Sequence, residues 1–194
     1  MSDAVEVLRK KHRKQRKLIA DDELSEHALQ LEALVAVQPE YQMATHIAAY
    51  IAILGEISVE PLIRSGAANG KTFYLPVLRG ESMVFAPWQP DQPLVKKAFG
   101  LLEPDCDESE WISPMLLDVV LTPLVVFDHH CNRIGQGGGF YDRTFEFILS
   151  AGKPFLMGVA HESQREPELV PQSWDIPLHK IVTERSVYCR PEVD

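Results

Sequence analysis

The residues best suited to chemistry form one glycine-rich stretch, Phe127 to Arg143. Four of the five residues from Gly135 to Gly139 are glycines, which adopt positive φ angles readily and let another group approach the backbone closely. A turn of this kind can present several N–H groups to an anion, most commonly a phosphate. Arg133 and Arg143 add positive charge, and Asp142 supplies a carboxylate for a divalent ion that bridges phosphates. The pattern favours an anion-binding loop over the alternative, a flexible surface turn.

The segments around this loop predict strands that alternate with helices. An apolar run from Leu116 to Pro123 predicts a central strand just before the loop, and the spacing from Tyr141 to Leu149 predicts a helix after it. Further strands are predicted at 46–54, 72–78, 83–88, 155–160 and 180–183, and further helices at 4–17, 21–38, 58–66 and, as a short turn, 94–99. This alternation predicts a three-layer α/β/α domain with a mostly parallel sheet. Ligands bind such sheets beyond the carboxyl ends of the strands, where the glycine loop falls.

Composition argues against several classes of protein. The 194 residues carry a formal net charge of −9, which argues against broad nucleic-acid binding. Seven of the nine residues from Arg9 to Lys17 are nevertheless basic, so this segment either binds a polyanion or covers acidic surface of its own protein. The chain has no apolar run of membrane-spanning length and no signal-peptide pattern. The length of the chain suits a single domain, 1–194. Its three cysteines, Cys106, Cys131 and Cys189, lie far apart and cannot all pair, which predicts a cytoplasmic protein and argues against a zinc site.

Other motifs in the chain carry weaker signals. Residues 66–72 resemble a Walker A loop but have three residues between the glycines, and they run from a helix to a strand. The loop at 135–140 is not a dinucleotide-binding fingerprint, because Phe140 occupies the position of the third glycine. His129 and His130 are poor joint metal ligands, since adjacent residues of a strand point to opposite sides. His161 follows a predicted strand and either lines the cleft or caps the strand.

The glycine loop and the strand before it resemble one family signature. The segments LTPLVVFD at 121–128 and RIGQGGGFYDR at 133–143 closely resemble those of 5-formyltetrahydrofolate cyclo-ligases, also called 5,10-methenyltetrahydrofolate synthetases. The resemblance covers nearly the whole chain, because further motifs stand in the order of that family: Gly55-Glu56-Ile57, Gly70-Lys71, Glu103-Pro104, Gln164, Trp174-Asp175 and Ile181 to Glu184.

The resemblance implies a NagB/RpiA/CoA transferase-like α/β/α fold with added N-terminal helices. It also implies a cytoplasmic, monomeric ligase that uses ATP and Mg²⁺ to cyclise 5-formyltetrahydrofolate, with no nucleic-acid or membrane partner. The residues that it implies for ATP are Arg9, Arg133, Ile134, Gly135, Gln136, Gly137, Gly138, Gly139, Phe140 and Tyr141. Those implied for the folate are Ile51, Glu56, Phe99, Gln136 and Phe140. Asp142 and Asp175 are implied as metal ligands, and Arg133 and Tyr141 as catalytic residues.

The N-terminal motif departs from the family pattern at one position. Leu8-Arg9 matches, but Val5 stands where the family often has a lysine four residues before the arginine. Lys10 and Arg13 are the candidates to replace that lysine. Two rival classes remain open: another ATP-using ligase or kinase on the same fold, and an RNA-binding protein that uses the basic helix.

Overall fold

The computed structural model describes residues 3–97 and 102–191. The helices are α1 (Asp3–Arg16), α2 (Asp21–Ala36), α3 (Pro39–Met43), α4 (Glu60–Ala68), α5 (Phe140–Phe145) and α6 (Ile148–Ala151). The strands are β1 (His46–Ala48), β2 (Thr72–Arg79), β3 (Ser82–Pro87), β4 (Leu94–Lys96), β5 (Leu102–Pro104), β6 (Val119–Pro123), β7 (Val126–Phe127), β8 (Arg133–Ile134), β9 (Phe155–Val159), β10 (Lys180–Val182) and β11 (Val187–Cys189). Within these ranges, no helix is long and apolar enough to cross a membrane.

Seven strands form the central sheet, in the order β11-β10-β9-β6-β1-β2-β3. The five inner strands are parallel, and the two edge strands, β11 and β3, pair antiparallel. Parallel strands are covered on both faces, so their sequences are almost continuously apolar, as in β6 and β9. The sheet therefore brings the carboxyl ends of β1, β6, β9 and β10 to one edge.

Helices cover both faces of this sheet. Alternate residues of a strand point to opposite faces, and Ile47 and Ala48 of β1 accordingly belong to different hydrophobic clusters. The cluster on one face includes buried residues of α2 and α4, and the cluster on the other includes Phe145 of α5 and Ile148 of α6. The three-layer α/β/α architecture and the mostly parallel sheet are thus confirmed.

The predicted strand at 46–54 is much shorter in the structure. β1 ends at Ala48, and the chain then turns through positive φ angles of 52° at Leu54 and 76° at Gly55. A Cβ atom at Gly55 would lie 2.8 Å from the carbonyl oxygen of Arg16, so only glycine fits beneath the end of α1. This close contact fixes the loop that carries Glu56 against the N-terminal helix.

Two predictions about secondary structure are wrong. The helical turn predicted at 94–99 is instead β4, which pairs antiparallel with β5, while 98–101 lie outside the described residues. The buried side chain of Glu103 supports this ribbon, because its Oε1 accepts a hydrogen bond from the backbone N–H of Leu78. The predicted helix from Tyr141 to Leu149 is two short helices, α5 and α6. In β4 the two apolar residues, Leu94 and Val95, are too few to show a period that distinguishes a strand from a helix.

Candidate active site

A cavity of about 770 Å³ opens beyond the carboxyl ends of β1 and β6. Its walls come from α1, from the loop that follows β1, from the glycine loop and from residues 169–176. The lining is mostly apolar, with a few charged groups, which is typical of a site for an organic ligand. Sites of bound ligands are expected at this end of a parallel sheet, so the position agrees with the sequence analysis.

A hairpin places the glycine loop beside this cavity. β7 pairs with β8, and the turn between them is held by the buried carboxylate of Asp128, which accepts hydrogen bonds from the backbone N–H groups of His130 and Asn132. Gly137 and Gly139 adopt φ angles of 104° and 66°, and Gly139 caps the first turn of α5. The sequence therefore needs glycine at these two positions to leave β8 and enter α5 directly.

Three arginines of α1 reach inward rather than into solvent. Arg9 Nε donates to the carbonyl oxygen of Gly135 at 2.8 Å, and Arg13 Nη2 donates to the backbone and side-chain oxygens of Gln136 at 2.7 and 2.9 Å. Arg16 Nε donates to the carbonyl oxygen of Leu54 at 3.1 Å. Of the two candidates to replace the missing lysine at position 5, Arg13 contacts the glycine loop, whereas Lys10 is exposed.

Glu56 is a buried carboxylate in the wall of the cavity. Its Oε1 accepts a hydrogen bond of 2.7 Å from Gln136 Nε2, and its Oε2 accepts one of 3.2 Å from the backbone N–H of Ile53. Arg16 Nη2 lies 3.7 Å from Glu56 Oε1 and, although buried, makes no hydrogen bond to any of the described residues. Burial raises the pKa of Glu56 above its ordinary value, and the positive charge of Arg16 partly opposes that shift.

Arg133, which precedes the glycine loop, and Asp142, which follows it, form an ion pair. Arg133 Nη2 donates to Asp142 Oδ1 at 2.6 Å, and the backbone N–H of Ile176 donates to the same oxygen at 3.1 Å. Arg133 Nη1 also donates to the carbonyl oxygen of Ile176. Asp175, the residue before Ile176, lines the same cavity as Asp142.

The remaining predicted residues surround the same cavity. Ile51, Ile134, Phe140 and Tyr141 all line it, together with the glycines of the loop. Burial is the main cause that raises the pKa of Tyr141, and the nearby charge of Glu56 adds to it, so the hydroxyl stays protonated at neutral pH. Phe140 packs beneath Arg143, whose guanidinium lies 5.3 Å from the centre of the ring. Phe99 lies outside the described residues.

The structure shows where His161 lies and brings to the cavity further residues that were not candidates from the sequence. His161 is fully buried behind the Glu56 loop and is not part of the cavity wall. The contact of Arg16 with Glu56 was not predicted, because Arg16 stands within a run of basic residues. The available signal was its position seven residues after Arg9, which places the two arginines on the same face of a helix. Trp174 and Val170 also line the cavity, and both are largely exposed.

The fold and the cavity define an α/β protein with a candidate site beyond the carboxyl ends of a parallel sheet. The sequence profile of the 5-formyltetrahydrofolate cyclo-ligase family matches residues 2–184. The chain belongs to this family. The 5-formyltetrahydrofolate cyclo-ligase of Escherichia coli (strain K12) is 34% identical over 179 residues, which cover 91% of this chain and 98% of that one. The Haemophilus influenzae enzyme of the same name is 36% identical over 167 residues, or 84% of each chain.

Solved structures of similar proteins agree with this assignment. The 5,10-methenyltetrahydrofolate synthetase of Aquifex aeolicus superimposes with a TM-score of 0.84 at 28% identity, covering 98% of this chain and 94% of that one. The synthetase of Mycoplasma pneumoniae superimposes with a TM-score of 0.74, covering 95% of this chain and 100% of that one; at 23% identity it supports the fold alone.

Proposed function

We propose that this chain converts 5-formyltetrahydrofolate into 5,10-methenyltetrahydrofolate, using ATP and Mg²⁺ and releasing ADP and phosphate. The observation that carries this proposal is that Gln136 of the glycine loop hydrogen-bonds the buried carboxylate of Glu56 inside one cavity. A phosphate-binding loop and a group able to orient a pterin ring therefore meet at one place. Family membership supports the same reaction.

The formyl oxygen on N5 of the substrate is a poor leaving group until it is phosphorylated. In the proposed reaction this oxygen attacks the γ-phosphorus of ATP, and ADP leaves. N10 then attacks the formyl carbon, the phosphorylated oxygen departs as phosphate, and N10 loses its proton. Such a reaction needs positioned cations and N–H groups more than it needs a protein nucleophile. Arg9, Arg133 and the loop from Gly135 to Tyr141 are the proposed phosphate contacts.

The donor set at Asp142 and Asp175 fits a magnesium ion. Mg²⁺ takes oxygen ligands and is commonly held by one or two carboxylates together with substrate phosphates. Both described hydrogen bonds to Asp142 use Oδ1, which leaves Oδ2 for an ion, and Asp175 Oδ2 accepts the backbone N–H of Gln172. When bound, the ion would neutralise charge on the phosphates.

Glu56 and the apolar wall are the proposed contacts for the folate. A buried carboxylate can accept hydrogen bonds from ring N–H groups, and Ile51 and Phe140 offer apolar surface for the ring system. Phe99 remains part of the proposal from sequence alone. The inward contacts of Arg9, Arg13 and Arg16 favour this function over RNA binding, because they direct much of the basic face of α1 to its own protein.

The direct test is the absorbance of the methenyl product when the protein is mixed with 5-formyltetrahydrofolate, ATP and Mg²⁺. We expect absorbance to rise only with all three present and ADP to appear in equal amount. Absence of product under varied conditions, with a folded protein, would overturn the proposal. ATP hydrolysis that does not depend on folate would favour another ligase or kinase.

We further propose that the chain works as one monomeric cytoplasmic domain. Its three free cysteines suit a reducing compartment.

Arg9→Ala is expected to raise the KM for ATP about tenfold or more. One hydrogen bond from a charged group is worth about 1.5–3 kcal/mol, and each 1.4 kcal/mol corresponds to about a factor of ten. Steady-state kinetics at saturating folate would measure the change. Lys14→Ala, which removes an exposed charge from the same helix, is the matched control and should leave KM unchanged. Equal KM values for Arg9→Ala and the wild type would contradict the role of Arg9.

Arg16→Gln is expected to move the acidic limb of the kcat/KM profile to higher pH. Folate binding needs ionised Glu56 in this proposal, so activity falls as pH drops through its pKa. The positive charge of Arg16 lowers that pKa, and its removal therefore raises the pKa further above the ordinary value. Lys17→Gln, an exposed neighbour, should leave the profile in place. A limb that stays put or moves to lower pH in Arg16→Gln would count against an essential Glu56 carboxylate.

A further inference from the structure

A second group of buried polar side chains lies between α2 and the carboxyl ends of β9 and β10. His27 comes from α2, His161 follows β9, and Glu184 follows β10. All three side chains are buried, and one donor atom from each lies within 4.8 Å of the others. His161 and Glu184 come from sheet ends, while His27 comes from a helix, so three separate elements converge here.

The contacts of the two rings show which nitrogens face each other. His161 Nε2 lies 3.1 Å from the carbonyl oxygen of Gly55, which only accepts, so His161 Nε2 is the donor in that hydrogen bond. His27 Nε2 lies 3.6 Å from Glu23 Oε1 and 3.9 Å from Glu184 Oε1, beyond hydrogen-bond distance. The two Nδ1 atoms then face each other at 2.9 Å.

In the metal-free cluster one of these nitrogens donates an N–H to the other. A metal ion bound by both Nδ1 atoms would take the place of that proton. Both imidazoles are buried, and imidazole nitrogens are the commonest metal ligands in proteins.

We propose that His27, His161 and Glu184 bind a divalent transition-metal ion, with zinc as the best match. The proposal does not depend on the proposed ligase reaction. Nitrogen ligands select zinc and similar ions over magnesium, and two histidines with one glutamate are an established ligand set for zinc. Histidine ligands almost always donate their second N–H to a carbonyl or carboxylate, as His161 does to Gly55.

The local geometry can accept such an ion after small movements. Two nitrogens on one tetrahedral zinc ion lie about 3.3 Å apart, so the rings would separate by a few tenths of an ångström from their present 2.9 Å. A cavity of about 460 Å³, lined in part by His27, Glu23 and Glu184, gives solvent access to the cluster. Water can fill the fourth position. The ion would displace Arg185, an exposed guanidinium whose Nε lies 3.5 Å from Glu184 Oε1.

Binding is tested on the full chain after treatment with a chelator and its removal. Isothermal titration with Zn²⁺ is expected to give one equivalent, and Co²⁺ is expected to give the visible absorption bands of a tetrahedral site. Long-range ¹H–¹⁵N spectra should show Zn²⁺-dependent shifts of the Nδ1 atoms of His27 and His161. If the folded wild-type protein binds no stoichiometric metal, or if these nitrogens do not shift, the two rings share only a hydrogen bond and the proposal is wrong.

Two variants and one matched control assign the binding to this cluster. Glu184→Gln and His27→Gln keep hydrogen-bonding groups in place and are expected to weaken Zn²⁺ by more than the roughly 10–100-fold that outer-shell partners contribute. His129→Ala combined with His130→Ala removes two exposed adjacent histidines and should leave the affinity unchanged. Zn²⁺ binding that survives in His27→Gln, or that disappears in the control, would place the ion elsewhere and overturn the proposal.

Discussion

Glu56→Gln is expected to lose most of the kcat/KM for 5-formyltetrahydrofolate while the protein stays folded and still binds ATP. Glu56 is buried in the cavity wall and accepts hydrogen bonds through both carboxylate oxygens. Hydrogen bonds to an ionised acceptor are roughly twice as strong as neutral ones, and glutamine also presents N–H groups where acceptors are needed. A hydrogen bond to a charged group is worth about 1.5–3 kcal/mol, so removing one should lower kcat/KM by roughly tenfold or more.

The matched control for this variant is Glu60→Gln. Glu60 lies in the first turn of α4, is exposed and pairs with Arg64, so its neutralisation tests the effect of removing a carboxylate outside the cavity. Kinetics should separate the two variants, and circular dichroism should show that both are folded. Near-wild-type folate kinetics in Glu56→Gln would mean that Glu56 only stabilises its loop and does not orient the substrate.

Asp142→Asn is expected to raise the Mg²⁺ concentration needed for half-maximal activity by about tenfold or more. The change keeps the size of the side chain and leaves an oxygen that can still accept from Arg133 and Ile176, so local packing should survive. It removes the negative charge that a magnesium ligand supplies. Changes even in outer-shell partners commonly alter metal affinity 10–100-fold, so the effect of removing a direct charged ligand should be at least as large.

Further variants separate a metal ligand from a residue that only positions Arg133. Asp175→Asn should shift the Mg²⁺ requirement in the same direction, whereas Asp105→Asn, in an exposed acidic loop, should not shift it. Suppose instead that Asp142→Asn lowers kcat but keeps the wild-type Mg²⁺ curve. Asp142 then acts by orienting the guanidinium of Arg133, and the proposed magnesium site is wrong.

The sequence was sufficient to predict the sheet because the parallel strands are buried on both faces. The runs that became β6 and β9 are almost entirely apolar, and no alternative element would bury them as well. The role of the loop glycines was also predictable, since positive φ angles, adopted by Gly137 and Gly139, leave few other choices of residue. The cavity then follows from topology, because strand ends bring Glu56 and the glycine loop together.

The elements that escaped prediction are held by contacts distant in sequence. β7 and β8 have two residues each, too few for a period, and the buried Asp128 that organises their turn looked like an ordinary polar residue. The basic run of α1 suggested either a polyanion site or a cover for acidic surface of its own protein. Charge alone does not reveal which side of a helix faces the protein, and the carbonyl oxygens that receive Arg9 and Arg16 lie in distant loops.

If the proposed function is right, the hydrogen bond between Gln136 and Glu56 connects the nucleotide side of the cavity with its folate side. Gln136 also receives Arg13, so any nucleotide that draws the glycine loop toward its phosphates changes the surroundings of the Glu56 carboxylate. Linkage then requires reciprocity: the factor by which nucleotide alters folate affinity equals the factor by which folate alters nucleotide affinity.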